Sequence, residues 1–104
     1  MPEIRRTIMN SFKDAQECQM FIMILKQKWS EFDADLKDKF TVEIATDIVD
    51  PRKHTAYLTA QSVEDFKIVD EWAKKEVLPL RNRFSPKSNT FTCELEARFE
   101  FGDN

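Results

Sequence analysis

The chain has one glycine, Gly102, close to its end. Without an internal glycine there is no glycine-rich phosphate loop, no dinucleotide fingerprint and no nucleophile elbow. Each of those needs backbone that turns through positive φ or approaches a ligand closely. Two cysteines, Cys18 and Cys93, and one histidine, His54, are too few and too scattered for a zinc site. The residues imply neither a metal nor a cofactor. The longest apolar run, Met20 to Leu25, has six residues, against the ~20 a helix needs to cross a bilayer. The first residues carry Glu3, Arg5 and Arg6 with no apolar stretch behind them, unlike a secretory signal. A cytoplasmic protein with reduced thiols is expected.

What is present is a globular balance. Apolar residues make 41% of the 104 and charged residues 34%, enough for one core and one domain, 1–104. Nineteen acids against sixteen bases leave a net charge of −3, which is not a nucleic-acid footprint.

Six elements can be read. Residues 3–9 predict a strand with Ile4 and Ile8 on one face; Arg6 breaks its alternation. Asn10 and Ser11 predict a turn. Residues 14–29 predict a helix with Asp14 and Glu17 as capping pair and Cys18, Ile22, Leu25 and Trp29 at three-four spacing. The segment 30–39 either continues that helix or forms a second short one. Residues 40–49 alternate as a strand with Phe40, Val42, Ile44 and Ile48 inward. A turn at 50–53 leads to a strand at 54–61, with Ala56, Leu58 and Ala60 opposite Thr55, Tyr57 and Thr59. Ser62 caps a helix with Phe66, Val69, Ala73 and Val77 in its stripe, stopped near Pro79. Residues 81–89 predict a polar loop. Residues 90–101 predict a strand burying Phe91, Cys93, Leu95, Ala97, Phe99 and Phe101, so both thiols are expected inside.

The order β-α-β-β-α-β is the split βαβ pattern. It resembles the ferredoxin-like architecture, an α+β sandwich: a four-stranded antiparallel sheet, first and third strands central, with two helices on one face. The resemblance rests on element order, and this architecture hosts unrelated functions. Its known uses find little here. The wet sheet face is expected to carry Tyr57 among Glu43, Asp47, Glu94, Glu96 and Glu100, which repels a phosphate backbone. There is no CxxC for metal transfer, and the first loop lacks the glycine of acylphosphatases. No catalytic constellation is expected. His54, beside a turn, reads as a wet surface residue.

Two features remain. Met20, Met23 and Ile24 lie roughly 130–170° from the core face of the first helix, with Ile68 behind and Trp72 beside the stripe of the second. Methionines beside aromatics suit an adaptable protein interface. In this topology Arg52, Lys53, His54, Arg81, Arg83 and Lys87 gather at one end as a basic site for an acidic partner or anion. The first expectation is thus a small non-enzymatic cytosolic protein acting through protein contacts, self-association as a homodimer included. A regulator, an inhibitor or an assembly component fits, including one encoded by a virus or mobile element. Phosphate-backbone or nucleic-acid binding ranks second and a small enzyme third, with no membrane partner.

Overall fold

The computed structural model describes residues 3–103. The elements are β1 (Ile4–Ser11), α1 (Ala15–Ser30), β2 (Thr41–Thr46), β3 (Lys53–Ala60), α2 (Val63–Glu76), α3 (Leu78–Phe84) and β4 (Lys87–Glu94). The strands form one antiparallel sheet in the order β2-β3-β1-β4. This is the expected ferredoxin-like α+β arrangement, with β1 and β3 central.

Local chemistry sets the helix ends. Asp14 accepts the Glu17 N–H at 2.8 Å and starts α1, whose Cys18, Phe21, Ile22 and Leu25 are buried. Ser62 accepts the Asp65 N–H at 3.2 Å and starts α2. Pro79 has no N–H for the carbonyl of Lys75, so α2 stops and the chain restarts as α3 with proline in its first turn. Residues 81–84 are therefore helical, not loop. Ser85, at φ 48°, ends α3 in the left-handed region.

The core has two clusters. One joins Phe12, Cys18, Phe21, Ile22, Leu25 and Leu80, with Phe84 packed against it. The other joins Ala56, Leu58, Ala60, Phe66 and Val69, flanked by Phe32, Leu36, Phe40 and Val42. Trp29 packs against both.

Four further expectations are corrected, and the break in alternation at Arg6 is explained. Asn10 and Ser11 continue β1, paired with His54 and Lys53. Arg6 faces the helices: its guanidinium lies 4.5 Å from the Phe66 ring centre and Nη1 donates to Asp70 Oδ1 at 2.5 Å, so the break in alternation is an ion pair over an aromatic. The segment 31–40 is not helical. The fully buried Asp65 carboxylate accepts the N–H groups of Lys37 at 2.9 Å and Asp38 at 3.1 Å, holding the segment against α2. Ile48 and Val49 fall after β2 and are exposed, since β2 ends at Thr46.

The fourth correction is the largest. β4 covers 87–94, and its register sets Phe91 opposite Thr7 and Thr92 opposite Arg6. Ser88, Thr90, Thr92 and Glu94 therefore share the helix side, while Phe91 and Cys93 face outward and are exposed. Arg6 Nε donates to Thr92 Oγ1 at 2.9 Å and Ser88 Oγ to Asn10 Oδ1 at 2.5 Å, which favours this phase. All of β4 is exposed, so its helix side offers Phe91 no cover. Leu95 is half-buried, its N–H donating to the Glu3 carbonyl at 2.8 Å. Beyond it the chain is not strand, and Phe99 and Phe101 are 79% and 92% exposed.

Candidate ligand cleft

A cleft of about 490 Å³ opens between the helices and the sheet. Phe21, Leu25 and Trp29 of α1, Ala56 and Leu58 of β3, and Val69 and Ala73 of α2 give it apolar walls. Arg6, Lys67, Asp70, Glu71, Lys74 and Arg81 supply its charged groups. Size and lining are those of a small-molecule pocket.

His54 and Asn10 are its buried polar residues. The β3 register puts His54 in phase with Ala56, Leu58 and Ala60, so it points inward and is 1% exposed. This overturns the wet surface position expected beside the turn. Its ring meets the Phe21 ring at 5.5 Å, nearly edge-on. Asn10 Nδ2 donates to His54 Nδ1 at 3.3 Å. An amide nitrogen can only donate, so Nδ1 accepts and the neutral ring carries its proton on Nε2; the tautomer is assigned from this bond. Burial pushes the His54 pKa down to about 4, so the ring is neutral at pH 7. Nε2 is buried and has no hydrogen-bond partner. Such a donor costs about 1–3 kcal/mol.

Around the cleft the charges partly cancel. Arg6 pairs with Asp70, and Lys74 pairs with Glu71 at 3.4 Å. Among the described residues, Arg81 and Lys67 have no carboxylate within 4.0 Å. No three His, Cys, Asp or Glu side chains among them form a metal-binding group.

The six basic-end residues are brought to one region. The Phe12 N–H donates to the Arg52 carbonyl at 2.9 Å and its ring meets Phe84 at 6.2 Å, joining the hairpin turn to α3. Lys53 and Lys87 both stand opposite Ser11. Arg52 is engaged by Asp50 at 2.8 Å, and that hydrogen bond holds the Asp50 pKa at about 2. Arg83 and Lys87 are exposed. Only His54 and Arg81 of the six line the cleft.

The helix-face residues divide. Met20, Met23 and Ile68 are exposed. Ile24 is half-buried against the first core cluster. Trp72 packs on Trp29 at 4.6 Å and on Phe32 at 4.9 Å, so it is covered within the chain.

Sequence reasoning placed Tyr57 on the outward sheet face but took that face as wet and put Phe91 in the core. Tyr57 and Phe91 both stand opposite Thr7, with Met9 on the same face, and all three are exposed. The alternation around Tyr57 and Met9 was a readable signal; the phase of Phe91 was not.

No protein-family model matches the chain, and no curated protein is similar to it in sequence. Solved structures share its fold. A dimeric ferredoxin-like protein from an uncultured marine organism is 15% identical, with a TM-score of 0.74 over 98% of this chain and 95% of that one. A conserved protein from Methanosarcina mazei Go1 is 16% identical, with a TM-score of 0.69 over 92% and 95%. SnoaB, a cofactor-independent oxygenase from Streptomyces nogalater, is 10% identical, with a TM-score of 0.62 over 97% and 98%. At these identities the likeness is one of fold. No helix among the described residues is long and apolar enough to cross a membrane.

Proposed function

We propose that this protein is a binding protein that works as a homodimer, joined through the outward face of its sheet. One observation carries the reading: Tyr57 and Phe91, on either side of Thr7, are both exposed on that face. A two-layer fold covers one sheet face with helices and leaves the other for water or a partner. Exposed aromatics sharing one sheet face favour a partner. The first solved structure named above is described as dimeric, which supports self-association. Sedimentation tests it. Tyr57→Lys with Phe91→Lys should give a folded monomer, whereas Met20→Lys with Met23→Lys should leave the dimer intact. A dimer lost only through the methionines would move the interface to the helices, and a wild-type monomer at high micromolar concentration would end the reading.

A second reading is an enzyme working in the cleft. It is supported by the buried histidine there and by the fold shared with a cofactor-independent oxygenase. It predicts dioxygen uptake by the purified protein with phenols or naphthols. No uptake across such a panel argues against it.

A further inference from the structure

We propose that residues 96–101 of one copy add as a strand to the free edge of β2 in a second copy, setting Phe99 and Phe101 into the apolar groove beside it. The inference rests on the self-association proposed above and names a second contact within it.

The first observation is an alternation that a single chain leaves unused. Ala97, Phe99 and Phe101 share one phase, with Glu96, Arg98 and Glu100 in the other. That period belongs to a strand with one covered face. Yet the segment is not strand, and Phe99 and Phe101 stand in water.

The second observation is a place that such a strand would fit. β2 is an edge strand, with β3 as its neighbour, so its other side has no strand to pair with among the described residues. A groove of about 420 Å³ lies between β2 and α1, walled by Phe32, Leu36, Phe40, Val42 and Ile44. All five are half-buried, so the groove is open. A strand added to β2 would carry every second side chain on the same side as Val42 and Ile44. The other edge strand, β4, has Ser88, Thr90, Thr92 and Glu94 on its helix side and offers no such groove. The charged residue of the groove is Lys26, with no carboxylate within 4.0 Å among the described residues. The segment around the phenylalanines is acidic, with Glu96, Glu100 and Asp103 against Arg98.

The third observation is reach. The Leu95 N–H donates to the Glu3 carbonyl, so the segment sets out from the line of β4. In the order β2-β3-β1-β4, the far side of β2 lies four strand spacings away, about 19 Å. Four residues lead from Leu95 to Phe99, a span of at most about 14 Å. Phe99 therefore falls short of the free edge of its own β2, and a second copy is the occupant that brings this segment there.

Isotope-filtered NMR on a dimer mixed from labelled and unlabelled full-length chains tests the assignment. Ring protons of Phe99 and Phe101 in one chain should show contacts to the methyls of Val42 and Ile44 in the other. Phe99→Ser with Phe101→Ser should weaken dimerisation roughly tenfold in sedimentation and keep the melting temperature of the dilute protein. A dimer without those contacts, or with wild-type affinity in the serine variant, overturns the proposal and leaves the sheet-face reading standing. A dimer that survives Tyr57→Lys with Phe91→Lys but not the loss of the two phenylalanines ends the sheet-face reading and keeps this one. A wild-type monomer at high micromolar concentration ends both.

Discussion

Asn10 on β1 stands opposite His54 on β3, and its side-chain amide donates to the ring nitrogen 3.3 Å away. Two neighbouring backbones thereby fix a side chain that neither could orient alone. Because the amide occupies Nδ1, the ring has one free donor.

Acid should destabilise the protein through this residue. The folded pKa of His54 is about 4, below its ordinary 6.5, because burial disfavours the charged ring. The unfolded chain therefore takes up a proton between pH 6.5 and 4 that the folded chain refuses. The contribution is complete above pH 6.5, shrinks as the pH falls towards 4, and amounts to on the order of 3 kcal/mol. Urea titrations at several pH values should show this slope, and His54→Leu should flatten it. An equal slope in the variant would remove His54 as its source.

Asp65 should be the tie for the segment 31–40. Its carboxylate takes two backbone N–H groups and is fully buried. Asp65→Ala should cost about 2–3 kcal/mol by leaving those donors unmatched. Hydrogen exchange at Lys37 and Asp38 should accelerate far more than exchange in β3. Uniform acceleration along the chain would mean that the residue supports the whole core instead.

Two leucines should behave differently. Leu58 is buried on the central strand β3, whereas Leu95 is half-buried just past β4. Leu58→Ala should cost about 2–5 kcal/mol, and Leu95→Ala clearly less, as measured by thermal melts at low protein concentration. Equal costs would return Leu95 to the core.

Removing residues 95–104 should leave the sheet folded, because the β4 register ends at Glu94. Apart from the Leu95 backbone bond, the bond from Arg98 Nη2 to Glu3 Oε2 at 3.0 Å is a further tie of this segment to β1 and its approach. The truncated chain should melt within a few degrees of the full chain. A collapse in melting temperature would show that the segment is structural.

Much of this was legible in the residues. The hairpin and both long helices follow from alternation and from three-four spacing with Asp14 and Ser62 as caps. Even the burial of His54 was written in its phase with Ala56 and Leu58; nearness to a turn misled. β4 was not legible in the same way. Alternation shows which residues share a face, but a shared face need not be a covered one. Phe91 looks like core in the sequence and faces outward because of pairing with β1, a partner distant in sequence. The segment 31–40 depended on Asp65, whose role as an acceptor for distant amides has no periodic signature. The cleft could not be read either, since it is the space left between three elements.

Trp29 packs against both core clusters, and Trp72 lies on Trp29 at 4.6 Å. Neither half of the interior can loosen without disturbing that pair. The molecule should unfold in one cooperative step, with the first cluster under α1 and the second under α2 lost together. These are the two tryptophans of the chain, so intrinsic emission reports on the seam between the halves. A stable half-open species would have to separate the two touching indoles, and its emission would announce it.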